Sequence, residues 1–139
     1  MNYIIYDIAS GRINSRGSVP DEEHYQIIIH SEQQRVTSDR IDSDENWYYL
    51  EDVLTERPEL PASWNKTTIK ANGIDEAILS ELPNPTSVGI RLLNKVGVNP
   101  VQEEITDGSL TITAEFPGEY LVEIDLFPYK FYSKVVTVA

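Results

Sequence analysis

The chain contains no cysteine. Disulfide frameworks, thiolate nucleophiles and cysteine-based zinc sites are therefore excluded, and folding in a reducing compartment needs no special provision. Histidine is almost as scarce, with only His24 and His30. A strand carrying both would set their Cα atoms roughly 20 Å apart, too far to share a metal ion. Long apolar runs are missing as well: no segment approaches the roughly 18 apolar residues of a membrane-spanning helix. The start, MNYIIYDIASGRI, has neither the basic flank nor the apolar stretch of a secretory leader, which argues against export by the usual route. The glycosylation sequon at Asn65-Lys66-Thr67 accordingly carries no weight.

Positive charge is short too. The net charge is −12, unevenly spread. Residues 1–60 hold thirteen acids against five bases, a balance of −8, and residues 61–139 hold ten against six, a balance of −4. Such a chain repels phosphate backbones and offers no basic stripe to nucleic acid. The acidity suits solubility and resistance to self-association.

What is present is a core and many turns. Eight Tyr, two Trp and three Phe within a 40% hydrophobic chain of 139 residues can support one compact domain or two small ones. Eight Pro and seven Gly favour short strands over long helices. No stretch keeps a 3.6-residue apolar period for three turns.

The N-terminal half reads as a β-meander. Asn2-Tyr-Ile-Ile-Tyr-Asp7 is β-branched and aromatic, Ser10-Gly11 is a turn signal, and Arg12–Ser18 completes a hairpin. Val19-Pro-Asp-Glu-Glu23 fits a short helical turn, and His24-Tyr-Gln-Ile-Ile-Ile-His30 is a further strand candidate. Polar, acidic Arg35–Asn46 reads as a loop or a short exposed strand. Trp47-Tyr-Tyr-Leu50 and residues 53–57 form a second hairpin around Glu51-Asp52.

Arg57-Pro-Glu-Leu-Pro61 is the best boundary, because its two prolines remove backbone donors and favour extended backbone. The expected division is a β-rich attachment module over residues 1–57 and a sandwich over 58–139. In the latter, short strands succeed one another: 66–71, the Asn72-Gly73 turn, 74–79, 86–93, 101–105, an Asp107-Gly108 hairpin signal, 109–116, the Pro117-Gly118 turn, 119–127, and 131–138. Strand candidates at this spacing are the signature of a small antiparallel sandwich. Pro117-Gly-Glu-Tyr120 places a Tyr at the start of a core-facing strand, where an immunoglobulin-like domain forms its tyrosine corner. The fold class is therefore all-β: a small β-meander followed by an immunoglobulin-like antiparallel sandwich.

Candidate chemistry is thin. Asp42, Asp44 and Asn46 match the first three ligand positions of a calcium loop, yet Trp47 stands where the loop needs Gly, and Val53 where it needs Glu. A solvated loop accounts for these acids. No Gly-x-Ser-x-Gly element or phosphate-cradling glycine loop occurs, and no carboxylate pair stands out among 23 acids. Neither a catalytic residue nor a cofactor or metal ligand is assigned. Surface aromatics are the better lead. Trp47, Tyr48 and Tyr49 are consecutive, so in a strand at least one points away from the local core, and Tyr129, Phe131 and Tyr132 repeat the situation. These six are the candidate interface residues.

The order of these features resembles that of small tailed-bacteriophage proteins associated with tails and tail fibres. The resemblance runs through Tyr3–Asp7, Ser10-Gly-Arg-Ile13, Trp47-Tyr-Tyr49, Arg57–Pro61, Asn72-Gly73, Leu82-Pro83, Asp107-Gly-Ser-Leu110, Pro117-Gly-Glu-Tyr120 and Phe127-Pro-Tyr129. It covers nearly the whole chain, although the acidic stretch 35–45 departs from the pattern. The resemblance implies a virion structural part, a tail or tail-fibre adaptor without catalytic residues. Its partners would be other virion proteins, in a homo-oligomer or a symmetric multi-copy assembly. A head-decoration or collar protein, and a carbohydrate-binding module whose aromatics stack on sugar rings, are the alternatives; an acid-rich hydrolase ranks last.

Overall fold

The computed structural model describes residues 1–93 and 100–139. The chain is nearly all β and divides into two compact units, Met1–Pro58 and Glu59–Ala139.

In the first unit, β1 (Asn2–Asp7) is the middle strand of an antiparallel three-stranded sheet, between β2 (Ile13–Ser18) and β3 (Gln34–Thr37). The turn joining β1 to β2 is built by its own polar groups: Asp7 accepts from the Ser10 amide and hydroxyl, and the Gly11 amide donates to the Asp7 carbonyl. Gly11 has φ of 76°, where glycine alone is unstrained. β4 (Trp47–Leu50) and β5 (Val53–Glu56) form a separate hairpin in which Leu50 opposes Val53. The two residues between them, Glu51 and Asp52, both take positive φ, the type I′ turn that matches strand twist. Ile4, Tyr6 and Ile13 from the sheet and Tyr49 from the hairpin are buried together.

One expectation for this unit changes. Residues 24–30 are not a strand. The carboxylate of Asp21 accepts from the His24 amide and caps a one-turn helix, α1 (Glu22–Gln26), after which Ile27–His30 runs without regular structure. The histidines therefore do not share a strand: His24 Nδ1 lies 2.7 Å from Asp21, and His30 meets the carbonyl of Ile28. The stretch 35–46, read as a loop or a short exposed strand, is both: Arg35–Thr37 belongs to β3 and pairs with Ile4, Ile5 and Tyr6, and the remainder is loop.

The second unit stacks two sheets. One has the order β10-β9-β12-β13-β7: β10 (Val101–Ile105), β9 (Thr86–Leu92), β12 (Gly118–Ile124), β13 (Tyr132–Val138) and β7 (Thr68–Ile69). The other is β11 (Leu110–Ile112), β8 (Ala77–Ser80) and β6 (Ser63–Trp64). All pairs are antiparallel except β13 with β7. The first strand is split between the sheets, β6 on one and β7 parallel to the last strand on the other, which with this order is an immunoglobulin-like arrangement. Alternate residues point inward, so Leu79, Val88, Leu110, Val122, Ile124 and Val136 make a dry core.

The turn signals have a different consequence from the one their chemistry suggests. Asp107-Gly108 does not close a hairpin, because β10 and β11 lie in different sheets; Gly108, at φ of 79°, turns a crossover. Asn72-Gly73 likewise carries the chain from β7 to β8, with the Asn72 side chain accepting from the amides of Ile74 and Asp75. Tyr120 stands at the corner position, two residues before core residue Val122, and packs against the core. Among the described residues its hydroxyl has no hydrogen-bond partner, so the expected corner bond is not formed.

A Cβ at position 11 would overlap the carbonyl oxygen of Tyr49, and the Tyr49 amide donates to the Gly11 carbonyl at 2.8 Å. Gly11→Ala is expected to destabilise the first unit by at least about 3 kcal/mol. Each unit carries one of the chain's two tryptophans, Trp47 and Trp64. Denaturant titration in a Trp64→Phe background, read by Trp47 fluorescence, isolates the effect; an unchanged midpoint would contradict it.

Candidate functional site

The six aromatic candidates do not form one surface. Tyr48 and Tyr49 are buried, which corrects their reading as exposed anchors. Trp47 is half-buried and donates its indole N–H to Asp42 at 2.9 Å. Tyr129 and Tyr132 are half-buried against the core of the second unit, and the Tyr132 hydroxyl accepts from the Trp64 indole at 2.6 Å. That bond joins β6 to β13 and so links the two sheets. Phe131 alone of the six is truly exposed, at 54%.

Tyr49 instead builds the centre of the first unit. Its ring stacks on Tyr6, centroids 3.9 Å apart and planes 12° from parallel. The Tyr49 hydroxyl donates to Asp39 at 2.8 Å, and the Tyr6 hydroxyl donates to Asp52 at 2.9 Å. Arg35 holds the other oxygen of Asp52 at 3.0 Å. Burial, aided by the Asp39 carboxylate, pushes the Tyr49 phenol upward; burial, aided by Asp52, does the same to Tyr6. Both phenols therefore stay protonated at neutral pH as donors, fastening hairpin to sheet.

The acidic stretch is occupied by the chain's own groups. Arg16 donates to the carbonyls of Ile41 and Asp42 and lies 3.5 Å from the Asp44 carboxylate. Arg57 donates to the carbonyls of Trp47 and Asp44. The Trp47 indole holds the Asp42 carboxyl below its ordinary value. The Asp44 carboxylate thus faces the Arg16 guanidinium while Arg57 holds the backbone beside it, and the indole of Trp47 takes the Asp42 carboxylate and closes the loop where a calcium site would need glycine. Among the described residues, no three His, Asp or Glu side chains converge as a metal site would require.

Two further surfaces emerge only in the folded chain. The first is apolar: Ile27 and Ile29 are 71% and 92% exposed in the segment after α1, and Leu50 and Val53 are exposed on either side of the β4–β5 turn. The triple Ile27-Ile28-Ile29 is visible in the sequence but reads there as part of a strand candidate. The second is a depression of about 350 Å³ with a mixed polar and apolar lining on the outer face of the five-stranded sheet, floored by Gly89 and bordered by Ser87, Arg91, Gln102, Glu123 and Phe131. A glycine at an outward position of a strand was the available sign.

Among the described residues, no helix is long and apolar enough to cross a membrane. Compared with known proteins, the chain matches no family model, no curated protein and no solved structure. The immunoglobulin-like description of the second unit accordingly rests on its own strand order.

The Tyr49 latch gives a signed pH dependence. Its folded value is raised above the ordinary 10.0, so its contribution is intact below pH 10 and declines above it, as the unfolded chain ionises first. Tyr49→Phe is expected to cost about 1–2 kcal/mol at pH 7 and to flatten the loss of stability between pH 9 and 11. Denaturant midpoints of both proteins across that range, read at Trp47 in the Trp64→Phe background, check it; parallel slopes would refute the assignment.

Proposed function

We infer that this chain is a non-catalytic assembly module, a virion structural protein of a tailed bacteriophage acting as a tail or tail-fibre adaptor through protein–protein contacts. The reading is carried by the exposed isoleucines of the first unit. Ile29 projects almost fully and Ile27 largely into solvent from a chain of net charge −12, in a segment without regular structure, and Leu50 and Val53 add a second exposed apolar pair. Apolar side chains displayed in this way are suited to burial in a partner surface. The latched tyrosines and the arginine-bound acids explain the polar groups of the first unit as structural, which supports a role without chemistry. The resemblance in motif order to tail-associated proteins supplies the narrower placement.

Immunogold labelling of purified particles tests the placement, with label expected at the tail or its fibres. Label on the head or neck would favour the decoration or collar alternative, and particles lacking the chain would overturn the virion reading. Ile29→Asp is expected to leave the fold within about 0.5 kcal/mol of wild type while reducing incorporation at least tenfold. Quantitative immunoblotting of particles assembled with each version measures this.

A further inference from the structure

The depression on the outer face of the second unit's larger sheet has the composition of a ligand site. Register puts Gln102, Gly89, Glu123 and Ser133 in one row across β10, β9, β12 and β13. Gly89 leaves that row without a side chain at its centre, and the sheet face sinks there. The Gln102 amide hangs over the gap: its Nε2 lies 2.9 Å from where a Cβ on residue 89 would stand. Its Oε1 accepts from the Ser87 hydroxyl at 3.4 Å, so the Nε2 hydrogens face the depression and have no acceptor among the described residues. On the other side Arg91 Nε lies 3.1 Å from Glu123 Oε1, which fixes a donor–acceptor pair at the floor. Asp125 and the 54%-exposed ring of Phe131 form the rim.

We propose that this depression binds one unit of a neutral saccharide. A sugar hydroxyl both donates and accepts, so neighbouring hydroxyls are matched by donors and acceptors set side by side, as the Gln102 amide, Arg91, Glu123 and Asp125 are. One face of a pyranose carries C–H groups whose partial positive charge suits the negative face of an aromatic ring, and Phe131 supplies that ring. The volume of about 350 Å³ is at the small end of ligand sites, fit for a single ring and not for a large cofactor. Charge selects the class further. Arg91 is neutralised by Glu123, Asp125 leaves the site acidic, and the chain carries −12, so sialylated or sulfated sugars are disfavoured. The site lies wholly within the second unit and does not depend on the assembly reading.

The test is a glycan array carrying neutral and sialylated oligosaccharides, probed with the full chain. The best neutral hit is then titrated while amide chemical shifts are followed. Neutral glycans are expected to bind, with the largest shifts at Gly89, Gln102 and Glu123. Phe131→Ala should weaken binding at least tenfold. Gly89→Val should abolish it, because the valine fills the floor and displaces only the flexible end of Gln102. Phe116, 75% exposed at the opposite end of β12, is the control, and Phe116→Ala should bind as wild type. Phe131 is exposed enough that its variant folds whatever becomes of position 89. An array with no neutral hit, a preference for sialylated glycans, or affinity that survives Phe131→Ala would each overturn the proposal.

Discussion

A small β-sheet has two faces and must hide one of them, and each unit of this chain is organised by how it meets that requirement. The first unit lays a two-stranded hairpin on a three-stranded sheet. A hairpin alone is marginal in water, and what fixes this one is the Tyr6–Tyr49 stack with both hydroxyls tied to carboxylates. Gly11 lets the sheet's turn approach closely enough to bond the hairpin backbone. The second unit closes a five-stranded sheet on a three-stranded one, and the Trp64–Tyr132 bond bridges them. Once the inner faces are covered in this way, whatever the protein does must be done with outer faces, turns and edges.

Much of the fold was legible because alternation is a local property. Tyr120, Val122, Ile124 and Leu126 share a face by simple counting, and Leu110 and Ile112 are buried while Thr111 is exposed. What alternation cannot supply is the partner. Asn72-Gly73 and Asp107-Gly108 specify a reversal of direction; whether the next strand pairs with the last or crosses to the facing sheet is decided by where an apolar face still needs cover. The stretch 24–30 misled for a related reason. Ile27-Ile28-Ile29 has strand propensity, but the Asp21 cap and the acids Glu22 and Glu23 favour a helix start, and among the described residues no strand pairs with Ile27–His30.

The candidate surfaces were harder to read. Three consecutive aromatics in one strand suggest that one must face solvent, yet Tyr48 and Tyr49 are both buried and Trp47 is half-buried with its indole engaged. In a four-residue strand nearly every position lies at a boundary, and the exposed residue proved to be Leu50. Residue type also misleads at the other end of the scale. Gly89 has no side chain to advertise, and its importance comes from register, which places Gln102 and Glu123 on either side of it.

The distribution of charge separates two kinds of outer surface. The edge strand β10 carries Glu103 and Glu104, the charged guard that discourages another chain from adding a strand. The exposed isoleucines lie in the non-ladder segment after α1, and Leu50 and Val53 flank a turn, so apolar attachment through the first unit would use side chains and not strand addition. The sheet face around Gly89 is different again: mixed polar and apolar, and built on strands whose register is set by the core beneath. A site placed on rigid strands holds its donors and acceptors fixed before a ligand arrives, whereas an attachment segment without regular structure can adapt to its partner. On the two proposals made above, the units would divide adaptable contact from preformed recognition, a division that follows from which residues each sheet had left after its inner face was covered.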